Sequence, residues 1–402
     1  MFDTLIYHQL ITDFFRRQES TWRFFASHTQ KEEQLTAFRT NLLKNTYKFD
    51  PAAETSLYEK LALAKERLGL QLPVTLYQAL HTEETNASII YIGGEAHIVF
   101  SGKIIALLTA EELLAIIGHE LGHVHLYQQL DGDLETADRI ITAIANHPDA
   151  GPAHYESARL FKLYTEIFCD RAAAIAAGHY APVVAALVKS ATGLQTVNAD
   201  SYTRQAEEIF AHEGGLRTAG VSHPENFIRA RAIYLWHTKA AHADDTIRRM
   251  IEGATSLDEL DLLRQQELSA LTRQLLQAIL QPAWIQTAPL ISLAKQYFGT
   301  LTWTALPDTD AMAATISPLH DTAKEYLAYV LYDMATADKQ LEDLPLGYCF
   351  VLAGRLGLDA SLAAIVKKER KLTDKKAKAL QQQAMAEYEK EQKTEQAGLF
   401  IQ

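Results

Sequence analysis

The stretch His119-Glu120-Leu121-Gly122-His123 sets two imidazoles four residues apart, with a carboxylate directly after the first. On a helix, positions i and i+4 lie on one face, so both rings can hold the same ion. Glu120 is then oriented to take a proton from a water activated by that ion. A tetrahedral catalytic zinc centre needs one more protein ligand and one open position. The segment "YTEIFCDRAAAIAAG" offers Glu166 as that ligand. Asp170, one turn later on the same face, is placed to accept the outer N–H of a ligand histidine and so fix its tautomer. The alternative for Glu166 and Asp170 is a plain solvent-facing role. Cys169 sits on a helix that already supplies a ligand and is set aside. His125 follows His123 by two residues, about 200° around the helix, and cannot share the ion. His97, His154, His179 and His212 read as surface or satisfied core residues.

These residues need two helices held close together. Thr109-Ala110-Glu111-Glu112 has the form of a capping box, so a helix is expected from Thr109 to about Leu130. Gly118 and Gly122 fall inside it at i and i+4. Each mid-helix glycine costs about 1 kcal/mol against alanine, so the pair predicts a neighbouring backbone packed along that ridge. Ala172–Ala174 supply small residues on the facing segment. Three short β-branched runs precede the helix, at 72–80, 87–94 and 96–102, and read as three strands. If the last of these is a sheet edge, an extended peptide can add to it as a further strand.

Helical patterns are expected over residues 1–66 and near 134–146, 155–177, 181–192 and 225–238, then throughout the chain from about 243. The run Thr302–Pro318 interrupts them. The tail from Val366 to Gln396 is charged and polar all round and reads as a solvated helix. The fold class is therefore mainly α with a small β-sheet. The expected organisation is an N-terminal helical region (1–66), a core that carries the metal constellation (67–240) and an all-helical C-terminal region (241–402).

The chain has 402 residues, 48% hydrophobic and 22% charged, with a formal net charge of -12. That balance argues against a nucleic-acid partner. No apolar run reaches the ~18–20 residues that span a bilayer, so no transmembrane segment is expected. The N-terminus, with Asp3 and His8, reads as an amphipathic helix rather than a targeting segment. Two distant cysteines, Cys169 and Cys349, suggest a reducing, cytoplasmic setting.

Taken in order, "LPVTL", "NAS", "IVFSG", "TAEELLAIIGHELGH", "EIFCD" and "SHPENFIRA" resemble the gluzincin zinc metallopeptidases of the HtpX and CAAX prenyl endopeptidase type, over roughly residues 68–238. The resemblance implies a zincin-like fold and one Zn2+ held by His119, His123 and Glu166, with Glu120 as general base. It also implies that His223 hydrogen-bonds the oxyanion and that Arg229 anchors the site, for instance through Asp170. Strand addition at residues 96–102 would favour extended or unfolded polypeptide as the substrate. Membrane members of that family carry transmembrane helices around the core, which this sequence lacks. Glu325–Asp359 is similar to the helical domain of TerB-type tellurite-resistance proteins, over about 320–370, which implies a partner-binding or cleft-gating role for the C-terminal region; the alternative is a plain helical bundle. Lys339 stands where that family has glycine, which leaves a metal role for Asp338 unsupported. The competing reading is a latent or regulatory zinc-binding module that binds a protein partner and cleaves little.

Overall fold

A computed structural model describes residues 3–27, 32–213, 216–300 and 307–399. The chain divides into two compact units, Met1–Gly253 and Ala254–Gln402. The first begins with helices α1 (Ile6–Arg16), α2 (Glu19–Ala26) and α3 (Glu32–Asn45), then strand β1 (Thr46–Lys48) and α4 (Thr55–Leu68). Strands β2 (Val74–Ala79), β3 (Asn86–Ile92) and β4 (Glu95–Ser101) follow. The rest is helical: α5 (Ile104–Leu107), α6 (Ala110–Tyr127), α7 (Asp133–Ala145), α8 (Pro152–Ala177), α9 (Ala181–Thr192), α10 (Ala199–His212), α11 (Asn226–His237) and α12 (Ala243–Glu252). This is the expected mainly helical architecture with a small sheet.

The sheet order is β1-β2-β4-β3. The three anticipated strands are present, and β1 is an addition: three residues, pairing Tyr47 with Gln78 of β2, too short to show alternation. β2 and β4 run parallel, with Leu76 opposite Ile98. β3 turns back into β4 through Gly93 and Gly94, both at positive φ (60° and 79°), the hairpin geometry that glycine adopts freely. Consequently β4 is an interior strand and β3 the edge. That corrects the expectation of an edge at residues 96–102: β4 is paired on both sides, and the hairpin carries β3 outward.

One face of the sheet packs on α4 and α6. Leu57 and Leu61, Leu76, Ile98 and Phe100, and Ile117 and Leu121 form a common core. Each such buried side chain contributes about 1.5–3 kcal/mol. Against the other side of α6 lies α8. A Cβ on Gly118 would fall 2.3 Å from the Ala176 Cβ, and one on Gly122 2.9 Å from the Cα of Cys169 and the Cβ of Ala172. The two glycines thus exist for the close approach of α8, as their spacing indicated. The α10 helix was not anticipated; its polar sequence buries only Ala199, Thr203 and Ala206.

The second unit contains α13 (Leu262–Ile279), α14 (Ala288–Tyr297), α15 (Thr309–Ile316), α16 (Asp321–Thr336), α17 (Leu344–Leu356), α18 (Asp359–Glu369) and α19 (Asp374–Leu399). The interruption at Thr302–Pro318 lies partly on residues 301–306, outside those described, and its remainder includes α15. The tail helix α19 is not solvated all round. Ala384 and Tyr388 are buried, and Gly347 of α17 meets the Ala384 carbonyl so closely that a Cβ there would lie 2.0 Å from its oxygen. Two buried residues four apart were too thin a stripe to stand out among lysines and glutamates.

Among the described residues no single helix is long and apolar enough to cross a membrane. The α8–α9 pair passes that test only jointly, across a 120° bend.

Candidate metal centre

Helix α6 starts where its cap requires. Thr109 Oγ1 accepts from the Glu112 amide (3.3 Å), and the Glu112 carboxylate accepts from the Thr109 amide (2.8 Å). From this start His119 and His123 emerge on one face, ring centroids 5.5 Å apart. His125 turns away, stacking on Phe168 and meeting Gln129.

Helix α8, brought close by the glycine ridge, presents Glu166 to both rings. Its Oε2 lies 3.4 Å from His119 Nε2, and its Oε1 lies 3.9 Å from His123 Nε2. Asp170, one turn on, lies 3.1 Å from His119 Nδ1. With Asp170 at Nδ1, the Nε2 atom of His119 is the one turned towards Glu166. Arg229, from α11, closes the back of the site. Its Nε and Nη2 grip the two Asp170 oxygens at 2.8 and 2.6 Å, a bidentate pair. Its Nη2 also lies 3.4 Å from Glu166 Oε2.

The electrostatics follow from this packing. Burial alone would lower the His119 pKa, but Asp170 and Glu166 outweigh it and raise it to about 10. Burial would raise Glu166; His119, Arg229 and His123 instead hold it well below the usual carboxylate range. Glu120, with no cation in hydrogen-bond contact, is pushed up by burial to about 7.

His223 arrives from a loop, its side chain 60% exposed, with Nε2 3.6 Å from Glu166 Oε1. The loop is braced by residues that the sequence did not single out. Glu225 accepts from Thr218 Oγ1 (2.7 Å) and the Ala219 amide (3.0 Å). Arg159 of α8 donates to the Gly220 carbonyl at 2.8 Å. A Cβ on Gly220 would fall 2.0 Å from the His223 carbonyl oxygen, so the turn requires glycine. Gly220, three residues before His223, was the one available signal.

All seven singled-out residues, His119, Glu120, His123, Glu166, Asp170, His223 and Arg229, line one cleft of about 580 Å³. The β3 edge borders it through Asn86, Ser88 and Tyr91.

Two donor sets compete for an ion. The His119 and His123 nitrogens and Cys169 Sγ lie within 4.8 Å of one another. Yet Cys169 is fully buried, with its sulfur against Gly122, and burial raises its thiol pKa well above the usual range. Glu166 is charged and lines the cleft, and its Oε2 is buried without a hydrogen bond. A charged carboxylate oxygen that reaches His119 Nε2 and Arg229 Nη2 only at 3.4 Å, with no well-formed hydrogen bond, fits a cation better than a buried thiol does.

Together the fold and cleft describe a centre of the metallopeptidase class. Residues 52–291, more than half of the chain, match Peptidase family M48, and the chain belongs to that family of zinc-dependent metallopeptidases. It is also similar to the plastoglobule-localized metallopeptidase 48 (chloroplastic) of Arabidopsis thaliana, 27% identical over 197 residues, 45% of this chain and 57% of the relative. The chain thus spans a little over half the length of that relative. No solved structure matches it significantly.

Proposed function

We propose that the protein is a zinc-dependent endopeptidase of the HtpX and CAAX prenyl endopeptidase type, acting on extended or unfolded polypeptide. His119, His123 and Glu166 would hold one Zn2+. When bound, the ion supplies Lewis-acid polarisation of the scissile carbonyl and eases deprotonation of the attacking water. Glu120 accepts that proton and returns it to the leaving amine. His223 donates from Nε2 to the oxygen that gains charge. Asp170 keeps the His119 lone pair directed into the cleft, and Arg229 neutralises Asp170.

The substrate is proposed to pair with β3. That strand is bonded on one side only, to β4, and an extended chain can satisfy its free main-chain groups with little sequence demand. The second unit, through the TerB-type likeness of Glu325–Asp359, is proposed to engage a protein partner; support for this is the sequence likeness alone.

The observation that carries the reading is the convergence of His119, His123 and the charged, buried Glu166 carboxylate within one cleft. The test is cleavage of an unfolded protein such as casein. Glu120→Gln keeps all three ligands but cannot act as a base, so it should retain zinc and lose about 10²–10⁴-fold in rate. Unchanged cleavage by that variant would refute the mechanism, and a zinc-loaded wild type that cleaves no unfolded protein would favour the latent binding module.

A further inference from the structure

His223 is placed by its backbone. Its side chain is 60% exposed, and Ser222 Oγ, on the neighbouring residue, lies 2.9 Å from its Nδ1. Little packing holds such a ring, so its position depends on the loop beneath it. Thr218 is the knot of that loop. It is 1% exposed. Its amide donates to the Met250 carbonyl of α12 at 2.8 Å. Its hydroxyl donates to Glu225 Oε2 (2.7 Å) and accepts from the Gly220 amide (3.0 Å). One buried residue thus ties together α12, the turn before His223 and the start of α11. Arg217 lies against the end of α12 as well: a Cβ on Gly253 would fall 2.5 Å from its Cδ.

Helix α12 is in turn registered against α8. Tyr164 Oη donates to Glu252 Oε1 (2.5 Å), and Arg171 Nη2 donates to Asp244 Oδ1 (2.6 Å). Tyr164 and Arg171 are about 10 Å apart along α8, and Asp244 and Glu252 about 12 Å apart along α12. The two spacings match with the helices running in opposite directions. Glu166 lies about 200° around α8 from Tyr164, so α12 grips the back of the helix whose front carries Glu166. Arg159 shares the face of Glu166, two turns earlier, and donates to the Gly220 carbonyl at 2.8 Å. The loop therefore passes from the back of α8 at Thr218 to its front at Gly220, and His223 follows.

We propose that Thr218 is the positioning residue for His223: it fixes the loop between α12 and α11, so that the imidazole stands beside Glu166 before a substrate arrives. Thr218 touches no substrate and acts through the ring it places. The inference deepens the endopeptidase reading and rests on it for its catalytic consequence.

The test compares full-length, zinc-loaded proteins at saturating casein. Thr218→Val keeps the shape of the side chain and loses both hydroxyl bonds. Misplacing a group by 1 Å can cost about 10²-fold in rate, so Thr218→Val should lower kcat by about ten- to hundredfold, with KM and zinc content little changed. Thr218→Ser, which keeps the hydroxyl, should recover most of the loss. In a His223→Phe background Thr218→Val should change kcat by less than about twofold, because the two residues act as one unit. Tyr164→Phe removes the bond to Glu252 without touching the loop, and should show the same dependence on His223 with a smaller loss. Histidine-ring NMR reads the placement without turnover: the His223 signal, identified by its absence from His223→Phe, should move towards that of a free solvated imidazole in Thr218→Val. An undiminished effect of Thr218→Val in the His223→Phe background, or a His223 signal that Thr218→Val leaves unmoved, would overturn the proposal. Should the signal move as expected while the wild type cleaves no casein, the endopeptidase reading fails and the positioning stands.

Discussion

The two units differ most in what they bury. In Ala254–Gln402 the core is a continuous set of aliphatic and aromatic side chains, such as Leu275, Ile279, Leu331, Met334, Phe350 and Leu362. Among the described residues its buried charged side chains are few, Asp261, Arg264 and Asp338, and both aspartates cap helices. In Met1–Gly253 the centre is instead crossed by Glu120, Glu166, Asp170 and Arg229, with Glu112–Lys189 and Arg171 nearby. Burying ions is expensive unless each is paired, and replacing paired ions with apolar side chains is often neutral or better for stability. A unit that retains so many has another use for them. The second unit follows the rules of packing, whereas the first departs from them around one cleft.

This contrast can be broken by mutation. The largest stability effect is expected for Arg229→Ala, which strands Asp170 and removes a cation beside Glu166; chemical denaturation should show a loss of about 3–5 kcal/mol. Leu331→Ala in the second unit should cost about 2–5 kcal/mol through a cavity, but zinc content should not change. A loss below about 1 kcal/mol for Arg229→Ala would mean that the cluster is solvated rather than buried.

His8 gives a pH-dependent effect that is absent at neutral pH. It is fully buried among Phe161, Tyr164 and Phe168, and burial lowers its pKa to about 3. The unfolded chain takes up a proton below about pH 6.5 while the folded chain does not. His8 therefore leaves stability intact at neutral pH and removes it as pH falls from 6.5 towards 3, at about 1.4 kcal/mol per unit. His8→Phe should flatten that part of the stability–pH curve. An unchanged slope would show that His8 does not titrate between the two states.

The smallest change is expected for the double replacement Glu112→Leu, Lys189→Met. Swapping a buried ion pair for apolar side chains of similar size should leave stability within about 1 kcal/mol, or raise it, although Thr109 loses its reciprocal cap. Lys189→Met alone should cost more than the double variant, because it leaves the buried Glu112 carboxylate without its cation.

What was legible in the sequence was chemistry expressed over short spacings. The capping box at Thr109–Glu112, the one-face spacing of His119 and His123, and the need for close packing at Gly118 and Gly122 all follow from helical geometry. Asp170 and Glu166 share a face for the same reason, and the structure puts Arg229 on Asp170. What was not legible depended on distant partners. Strand order is set by pairing between segments, so β3 rather than β4 holds the edge. β1 is too short to show alternation. Ala384 and Tyr388 of the tail are buried only because Gly347 admits them.

The central claim is that the buried carboxylate of Glu166, and not the nearby Cys169 thiol, completes a metal site with His119 and His123. It is tested most directly by zinc content per chain in three purified proteins. Wild type and Cys169→Ala should each hold about one tightly bound zinc, and Glu166→Ala should be largely empty while remaining folded by circular dichroism. Full zinc in Glu166→Ala, with loss in Cys169→Ala, would contradict the account and move the third ligand to the thiol.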